Sequence, residues 1–478
     1  MSRRPACSHA PSCVNAWVLP LTWILLCCQP VDPPVSPNIV LFVMDTVRAD
    51  AVSAYGGIEG TTPTLDRLAS EGVRYARAYS HAPWTLPSHA TIFSGLLPSQ
   101  HGVGWQRTNA RGELVMLAER LQEAGYETFG VSENIWISKH FNMAQGFERL
   151  VSGLGVQVVQ ATRRWLVKRE GDRPFFLFVN VIDPHFPYAV AKENPFLPSG
   201  VSAGEASSLP QDPAHYLCAP ELKLGQLAVL KGLYLGEVSA ADAKLGRVLG
   251  LLDAAGEMEA TITIVTSDHG EHFGEHGLAS HQFSVYQPLL HVPLVVHGLP
   301  DVEPAVVEEP VQQLDLVPTV LQWVGLEIPD SLPGRPLPTT ALSAPRERRM
   351  IGEYSDPAGA ADPEEKGLAR SMRQAGLQAR SDCPPNSRLF GDRRSVVRHP
   401  HKAIWFEHHT AELYDLEADP HEEHDLAGER PALLAELVDV ISSPPPPIDA
   451  AMEPGAPARL PDDVRNQLEA LGYVEESR

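Results

Sequence analysis

The chain has 478 residues, 43% hydrophobic and 21% charged, enough to bury a large core in two or three domains or in one large domain with an appendage. Lysine and arginine number 38 against 60 acids, a formal net charge of −22. With no basic block anywhere, that balance excludes nucleic acid and an anionic membrane surface as partners.

Residues 1–28 stand apart. Arg3 and Arg4 precede the apolar run Ala16–Leu26, which ends at Cys27 and Cys28. The run has the length of an export-signal core, whereas a bilayer span needs roughly 20 apolar residues. Export to the periplasm, the exterior or the membrane surface is expected, with residues 29–37 as a linker. A lipid on Cys27 or Cys28 is the one route to a membrane anchor, although Leu26 is larger than the residue that usually precedes a lipidated cysteine. Only Cys218 and Cys383 remain in the mature chain, paired or free. Without a Cys-x-x-Cys pair, a thiolate zinc site is not expected.

Residues 38–44, Asn-Ile-Val-Leu-Phe-Val-Met, form a continuous apolar run of strand length that ends in Asp45-Thr46. Such a run suits a strand covered on both faces of a parallel sheet. Pro63–Ala69 has helical spacing and closes at Gly72. Trp84–Gly95 reads as a loop entering a helix, with Pro87 in the first turn, where its missing N–H costs nothing. Thr85 therefore stands at a helix N-terminus, which favours an anion. The bland reading makes it an N-cap worth about 1 kcal/mol. Leu114, Leu117, Ala118 and Leu121 mark a helix closing at Gly125.

A second buried strand, Phe175–Ile182, delivers Asp183-Pro184-His185-Phe186-Pro187-Tyr188. Residues 190–222 read as a long loop, and a long helix runs from Leu227 to Leu252. The third strand, residues 260–266, delivers Ser267-Asp268-His269-Gly270, and a fourth covers Val292–Val296. Residues 395–398 and 403–406 make a hairpin, 412–416 a short strand, and 463–471 a final helix. Residues 355–392 read as a flexible loop. Alternating strands and helices predict an α/β fold with a mostly parallel central sheet over 38–345, and a smaller α+β subdomain over 346–478. Ligands bind beyond the carboxyl ends of such strands, which puts Asp45, Asp183 and Asp268 on one face.

A carboxylate at a buried strand end is costly unless it is paired or holds a cation. Oxygens from Asp45, Asp268 and Thr85 with the His269 imidazole suit one divalent ion, Mn²⁺, Zn²⁺, Mg²⁺ or Ca²⁺. That ion would lower the Thr85 pKa and make its hydroxyl nucleophilic. His185 and His281 are candidates to protonate a leaving alcohol or to hold the anion. His101, His272, His276, His408 and His409 read as loop residues without a role.

Several of these segments resemble the sulfatase family of the alkaline phosphatase superfamily over nearly the whole mature chain. They are the strand ending in Asp45, Leu86-Pro87-Ser88-His89-Ala90, residues 183–188, Thr266–Glu271, residues 290–294, Asp315–Leu321, residues 413–416 and Leu471-Gly472-Tyr473. The resemblance implies a metal-dependent hydrolase of a sulfate or phosphate ester, with a covalent intermediate at Thr85 and leaving-group assistance from His185. His281 falls where the family usually has a substrate-binding lysine, and His89 where it has an arginine. Thr46 replaces the second aspartate of the metal strand, and Ser132-Glu133-Asn134-Ile135 replaces a Gly-Lys-Trp-His segment. Most telling is Thr85 itself, because threonine cannot become the formylglycine that the family's Cys or Ser yields.

One divalent ion with two aspartates and a threonine alkoxide carries about −1. Each missing cation forfeits roughly 4 kcal/mol at 4 Å and intermediate dielectric. A singly charged group, a sulfate monoester or a phosphodiester, is therefore the expected substrate, on a small molecule or a glycan. Preference for a phosphate monoester would require a second metal through Asp183, His185 or His281. Two other readings are a membrane-associated transferase of phosphoryl-linked headgroups and a non-catalytic binder of anionic glycans.

Overall fold

The computed structural model describes residues 36–105, 107–169, 171, 173–212, 215–217, 223–340, 348–357, 368–381, 383, 388–442 and 460–474. The expected export signal, most of the linker and Cys218 lie outside them. Cys383 is disulfide-bonded. No described helix is long and apolar enough to cross a membrane.

An eight-stranded mixed sheet forms the centre. From edge to edge its strands are Ala305–Val307, Val73–Tyr75, Leu294–His297, Thr261–Thr266, Asn38–Met44, Phe175–Val181, Glu127–Ser132 and Arg149–Ser152. The five from Thr261–Thr266 to Arg149–Ser152 are mutually parallel, while Leu294–His297 runs antiparallel to both of its neighbours. Side-chain alternation explains the unbroken apolar run in the central strand. Ile39, Leu41 and Val43 enter the core on one face, and Val40, Phe42 and Met44 enter the core on the other. The long helix Leu224–Ala254 supplies much of the second core through Leu230, Tyr234, Val238, Ala241 and Leu245.

A four-stranded antiparallel sheet, in the order Met350–Tyr354, Arg393–Arg398, His401–Phe406 and Glu412–Asp415, makes the small second layer. Val397, Ile404, Phe406 and Tyr414 share the first core with the large sheet. Residues 37–478 accordingly cluster as one compact unit.

Three expectations change. The strand placed at residues 292–296 is two pieces. His291–Val292 pairs with Ala78–Tyr79, Pro293 has no N–H to continue a ladder, and Leu294–His297 joins the large sheet. The stretch read as loop from 355 to 392 carries the helix Leu368–Ala379, and just beyond it Arg380 forms a buried ion pair with Asp356. Within 190–222, Ser202 and Glu205 cap each other's backbone around a short helix, Ala203–Ser207.

Candidate metal-dependent active site

Four neighbouring parallel strands deliver polar groups at their carboxyl ends. Thr261–Thr266 leads to Asp268 and His269, Asn38–Met44 to Asp45, Phe175–Val181 carries Asn180, and Glu127–Ser132 leads to Asn134. The turn after Thr266 is locked from below. Gln313 Nε2 donates to the Ser267 and Asp268 carbonyls at 2.7 and 3.0 Å, and Ser88 Oγ donates to the Asp268 carbonyl at 2.7 Å. Gly270 is required there, because a Cβ would stand 2.0 Å from the Pro288 carbonyl oxygen.

Thr85 opens the helix Thr85–Ser94. It is the first helical residue; the N-cap position belongs to Trp84, whose backbone is extended and whose side chain caps nothing. The capping role considered for Thr85 is thus filled by no side chain. Its hydroxyl faces the strand ends: Oγ1 accepts from Asn134 Nδ2 at 3.4 Å.

One ligand atom from each of Asp45, Asp268 and His269 lies within 4.8 Å of the others, and all three residues are fully buried. Asp45 Oδ2 accepts from Asn134 at 2.9 Å and Asn180 at 3.3 Å, which leaves Oδ1 without a hydrogen-bond partner. Asp268 Oδ1 accepts the backbone N–H groups of Thr46 and His269 at 3.0 and 2.9 Å, and its Oδ2 is similarly left over. His269 Nδ1 meets the Gly270 carbonyl at 3.0 Å, so Nε2 presents its lone pair. Three orphaned, buried, convergent atoms of this kind are costly in a metal-free site and suit a divalent cation.

Electrostatics agree. Burial, then the neighbouring Asp268 carboxylate, pushes Asp45 up to about 6, and burial pushes Asp268 up to about 7. Burial also holds His269 down at about 4. Neutral imidazole beside two carboxylates that lack a counter-charge is a ligand set waiting for positive charge.

Around Thr85 a second group of side chains closes the site. His185 Nδ1 meets the Phe186 carbonyl at 2.5 Å, leaving Nε2 without a partner. The His281 ring lies 4.9 Å from that of His185 and 4.8 Å from that of His269. Its Nδ1 is 3.2 Å from Glu271 Oε1 and its Nε2 is 3.4 Å from Tyr473 Oη. Burial holds His185 near 4 and His281 near 3, and raises Glu271 to about 7.

The remaining expected residues stand further back. His89, one turn below Thr85, packs edge-on against Phe93 and Phe178. Its Nδ1 contacts the Thr85 carbonyl at 3.0 Å and approaches Asp268 Oδ2 at 3.5 Å, so it props the aspartate from beneath. Thr46 turns away: its backbone is left-handed (φ 57°) and its hydroxyl donates to the Pro184 carbonyl at 2.7 Å. Asp183, expected on the same face as the other two aspartates, is held at 2.7 Å by Lys244, which also binds Glu133 at 2.7 Å. That ion pair keeps it out of the metal-facing cluster. His101 and His272 are buried structural groups, bonded to Thr91 and Ser284. Asn134, Asn180, Glu271 and Tyr473 were not singled out by residue type. Asn180 alone carried a signal, as a polar residue inside an otherwise apolar strand.

The family model named Sulfatase matches residues 37–164 and 156–326. An uncharacterized sulfatase, YidJ, of Escherichia coli is 27% identical over 361 residues, covering 65% of this chain and 72% of that protein. An N-acetylglucosamine-6-O-sulfatase of Bacteroides thetaiotaomicron is 23% identical over 395 residues, 63% of this chain and 70% of its own. The solved phosphonate monoester hydrolase of Agrobacterium radiobacter superposes with a TM-score of 0.65 at 21% identity, covering 85% of this chain and 95% of that one. The α/β fold around a mixed eight-stranded sheet and the family match agree, and this chain belongs to the sulfatase family, a family of metal-dependent ester hydrolases.

Proposed function

We propose that the protein hydrolyses an ester of a singly charged oxyanion, a sulfate monoester or a phosphorus diester, through a Thr85 nucleophile and a covalent threonine ester. One observation carries this reading: Asn134 Nδ2 donates both to Asp45 Oδ2, at 2.9 Å, and to the Thr85 hydroxyl, at 3.4 Å, which seats that hydroxyl beside the three metal-facing atoms. Asp45, Asp268 and His269 would hold the cation, with Thr85 beside it. The cation supplies charge neutralisation and a lowered hydroxyl pKa. Asn134 orients both Asp45 and Thr85, and His89 supports Asp268. His185, in the imidazolium form that a bound anion favours, would protonate the leaving oxygen through its unpartnered Nε2.

Charge decides the substrate class. Nearby cations are already committed: Arg48 to Asp50 and Glu275, and Lys244 to Glu133 and Asp183. Neutral imidazoles therefore stand where a dianion would need fixed positive charge. Relatives support the same class, since a sulfate ester and a phosphonate monoester, named for two similar proteins, each carry one negative charge. A panel of sulfate monoesters, phosphodiesters, phosphonate monoesters and phosphate monoesters tests the proposal on wild type and Thr85→Ala. The expected result is turnover of monoanions, lost about 1,000-fold or more in Thr85→Ala, with a covalent adduct seen by intact-protein mass spectrometry. A preference for phosphate monoesters, or full turnover by Thr85→Ala, overturns it.

A further inference from the structure

The catalytic cluster is shut away from solvent. Asp45, Thr85, Asp268 and His269 have no exposed surface, and His185 and His281 keep 3%. On the side of these two histidines the last described segment of the chain lies against the site. Tyr473 follows the helix Asp462–Ala470 and is itself 2% exposed. Its ring centre lies 5.2 Å from that of Trp136, edge-on, and 6.2 Å from that of Trp84, which immediately precedes Thr85. The same ring stands 6.2 Å from His185 and 6.5 Å from His281, with its Oη 3.4 Å from His281 Nε2. The helix before it is firmly held: Val464 and Leu468 enter the first core, and Gln467 Oε1 accepts the Leu154 N–H at 2.7 Å. Gly472 then takes a left-handed backbone (φ 77°). Its N–H and that of Tyr473 return to the Glu469 and Leu468 carbonyls at 3.0 and 2.9 Å, a helix-end turn that aims Tyr473 back into the molecule. An added Cβ at Gly472 would meet nothing within 4 Å, so conformation rather than space requires glycine there.

We propose that Tyr473 is a gate on the leaving-group side of the site: the turn Leu471–Val474 pivots at Gly472, withdraws the ring to admit the ester, and returns it to close the site. This rests on the buried cluster being the catalytic site. An ester whose oxyanion reaches Thr85 with its leaving oxygen at His185 Nε2 needs room beside His185, and the Tyr473 ring borders that room. The other rings around it are fixed. Trp84 adjoins Thr85 and stacks on Trp105 at 4.2 Å, and the backbone N–H of Trp136 donates to Asn134 Oδ1 at 3.1 Å. His281 Nδ1 is 3.2 and 3.3 Å from the two oxygens of Glu271, a carboxylate that Tyr188 also holds at 3.2 Å. Tyr473 instead hangs from a glycine turn with open space about it, and the helix before that turn stays seated when the ring swings. Closed, the ring keeps water from His185 and from the reacting ester.

Labelling with diethyl pyrocarbonate, which modifies accessible imidazoles, reads the gate without turnover. Full-length wild type, Tyr473→Phe, Tyr473→Ala and Gly472→Ala are labelled, and each histidine is followed by peptide mass spectrometry. His408 and His424, exposed at the surface, give the open reference, and His101, buried against Thr91, reports general loosening. In wild type His185 and His281 should label at least about 10-fold more slowly than the open reference. Tyr473→Ala removes the ring and Gly472→Ala strains the closed turn. Each should speed labelling of His185 and His281 about 10-fold while His101 stays within about twofold of wild type. Tyr473→Phe keeps the ring and should label like wild type. The gate is overturned if wild-type His185 and His281 label as fast as the open reference, or if neither alanine variant speeds them. A parallel rise at His101 in both variants overturns it too, because the whole protein has then loosened. If Tyr473→Ala alone speeds labelling, Gly472 is not the pivot and the hinge is overturned. Labelling needs no substrate, so the gate is judged separately from the Thr85 nucleophile, which the ester panel and Thr85→Ala decide.

Discussion

Replacing Asp45 by asparagine should make the protein more stable without metal and less stable with it. In the folded protein the Asp45 carboxyl sits near 6 rather than 3.8, because it is buried and faces Asp268. A carboxyl raised on folding contributes stability that is present below pH 4 and lost as pH rises through the folded value. The buried histidines run the other way: their folded values of about 3 to 4 make their contribution present above pH 6.5 and lost as pH falls. At pH 7.5 the histidine effect is constant and the carboxylate penalty is fully developed. A shift of about two pKa units then costs about 3 kcal/mol. Asparagine removes it while its carbonyl oxygen still accepts from Asn134 and Asn180. With about 2 cal/mol/K of unfolding entropy per residue, 3 kcal/mol raises the metal-free melting temperature of this chain by about 3 °C. A divalent ion at 100 times its Kd stabilises wild type by about 2.7 kcal/mol, and the variant gains far less because one charged ligand is gone. Thermal melts at pH 7.5, in chelator and in Mn²⁺, Zn²⁺, Mg²⁺ or Ca²⁺, should therefore show the order of the two proteins reversing. If wild type ignores every ion, or if Asp45→Asn is stabilised by ions as much as wild type, the assignment of Asp45 to a metal is refuted.

Thr85→Ser retains a hydroxyl at the helix start and should keep turnover within about tenfold of wild type, measured as kcat/KM on the preferred ester. Asp183→Asn should leave metal affinity within about twofold by isothermal titration, because Lys244 rather than the cluster holds that carboxylate. Lys244→Met should lower stability by about 2 kcal/mol in urea melts, less than for a fully buried pair since Lys244 remains 19% exposed, again without loss of metal. Phe178→Ala removes the ring that packs on Phe93 at 4.9 Å beneath Thr85 and supports His89. It should cost about 3–5 kcal/mol by denaturant midpoint, and turnover should fall because the helix loses its seat. An unchanged midpoint would show that this seat is not packed as described.

Much of this molecule was written locally. Residues 38–44, 175–181 and 261–266 announce strands because a chain segment covered on both faces has no water-facing position to mark with a polar residue. Their aspartates stand out because a charge at the end of such a strand needs a reason. Glu127–Ser132 escaped notice: Gly130 interrupts its apolar pattern, for the tertiary reason that a Cβ would stand 2.5 Å from Leu150. With that strand went Asn134, which bonds both Asp45 and Thr85 and whose role no local pattern states.

The sequence alone determined the α/β class, the three strand tips and the position of Thr85 at a helix start, since hydrophobic periodicity and helix-entry chemistry are properties of short segments. Tertiary structure decided which tips act together. Asp183 looked equivalent to Asp45 and Asp268 until Lys244, far along another helix, was seen to neutralise it. Tyr473 meets the rings of Trp84 and His281, which lie far from it in sequence, only in the folded chain. Coulomb energy and hydrogen bonding depend on distance in space, and only the folded chain sets that distance.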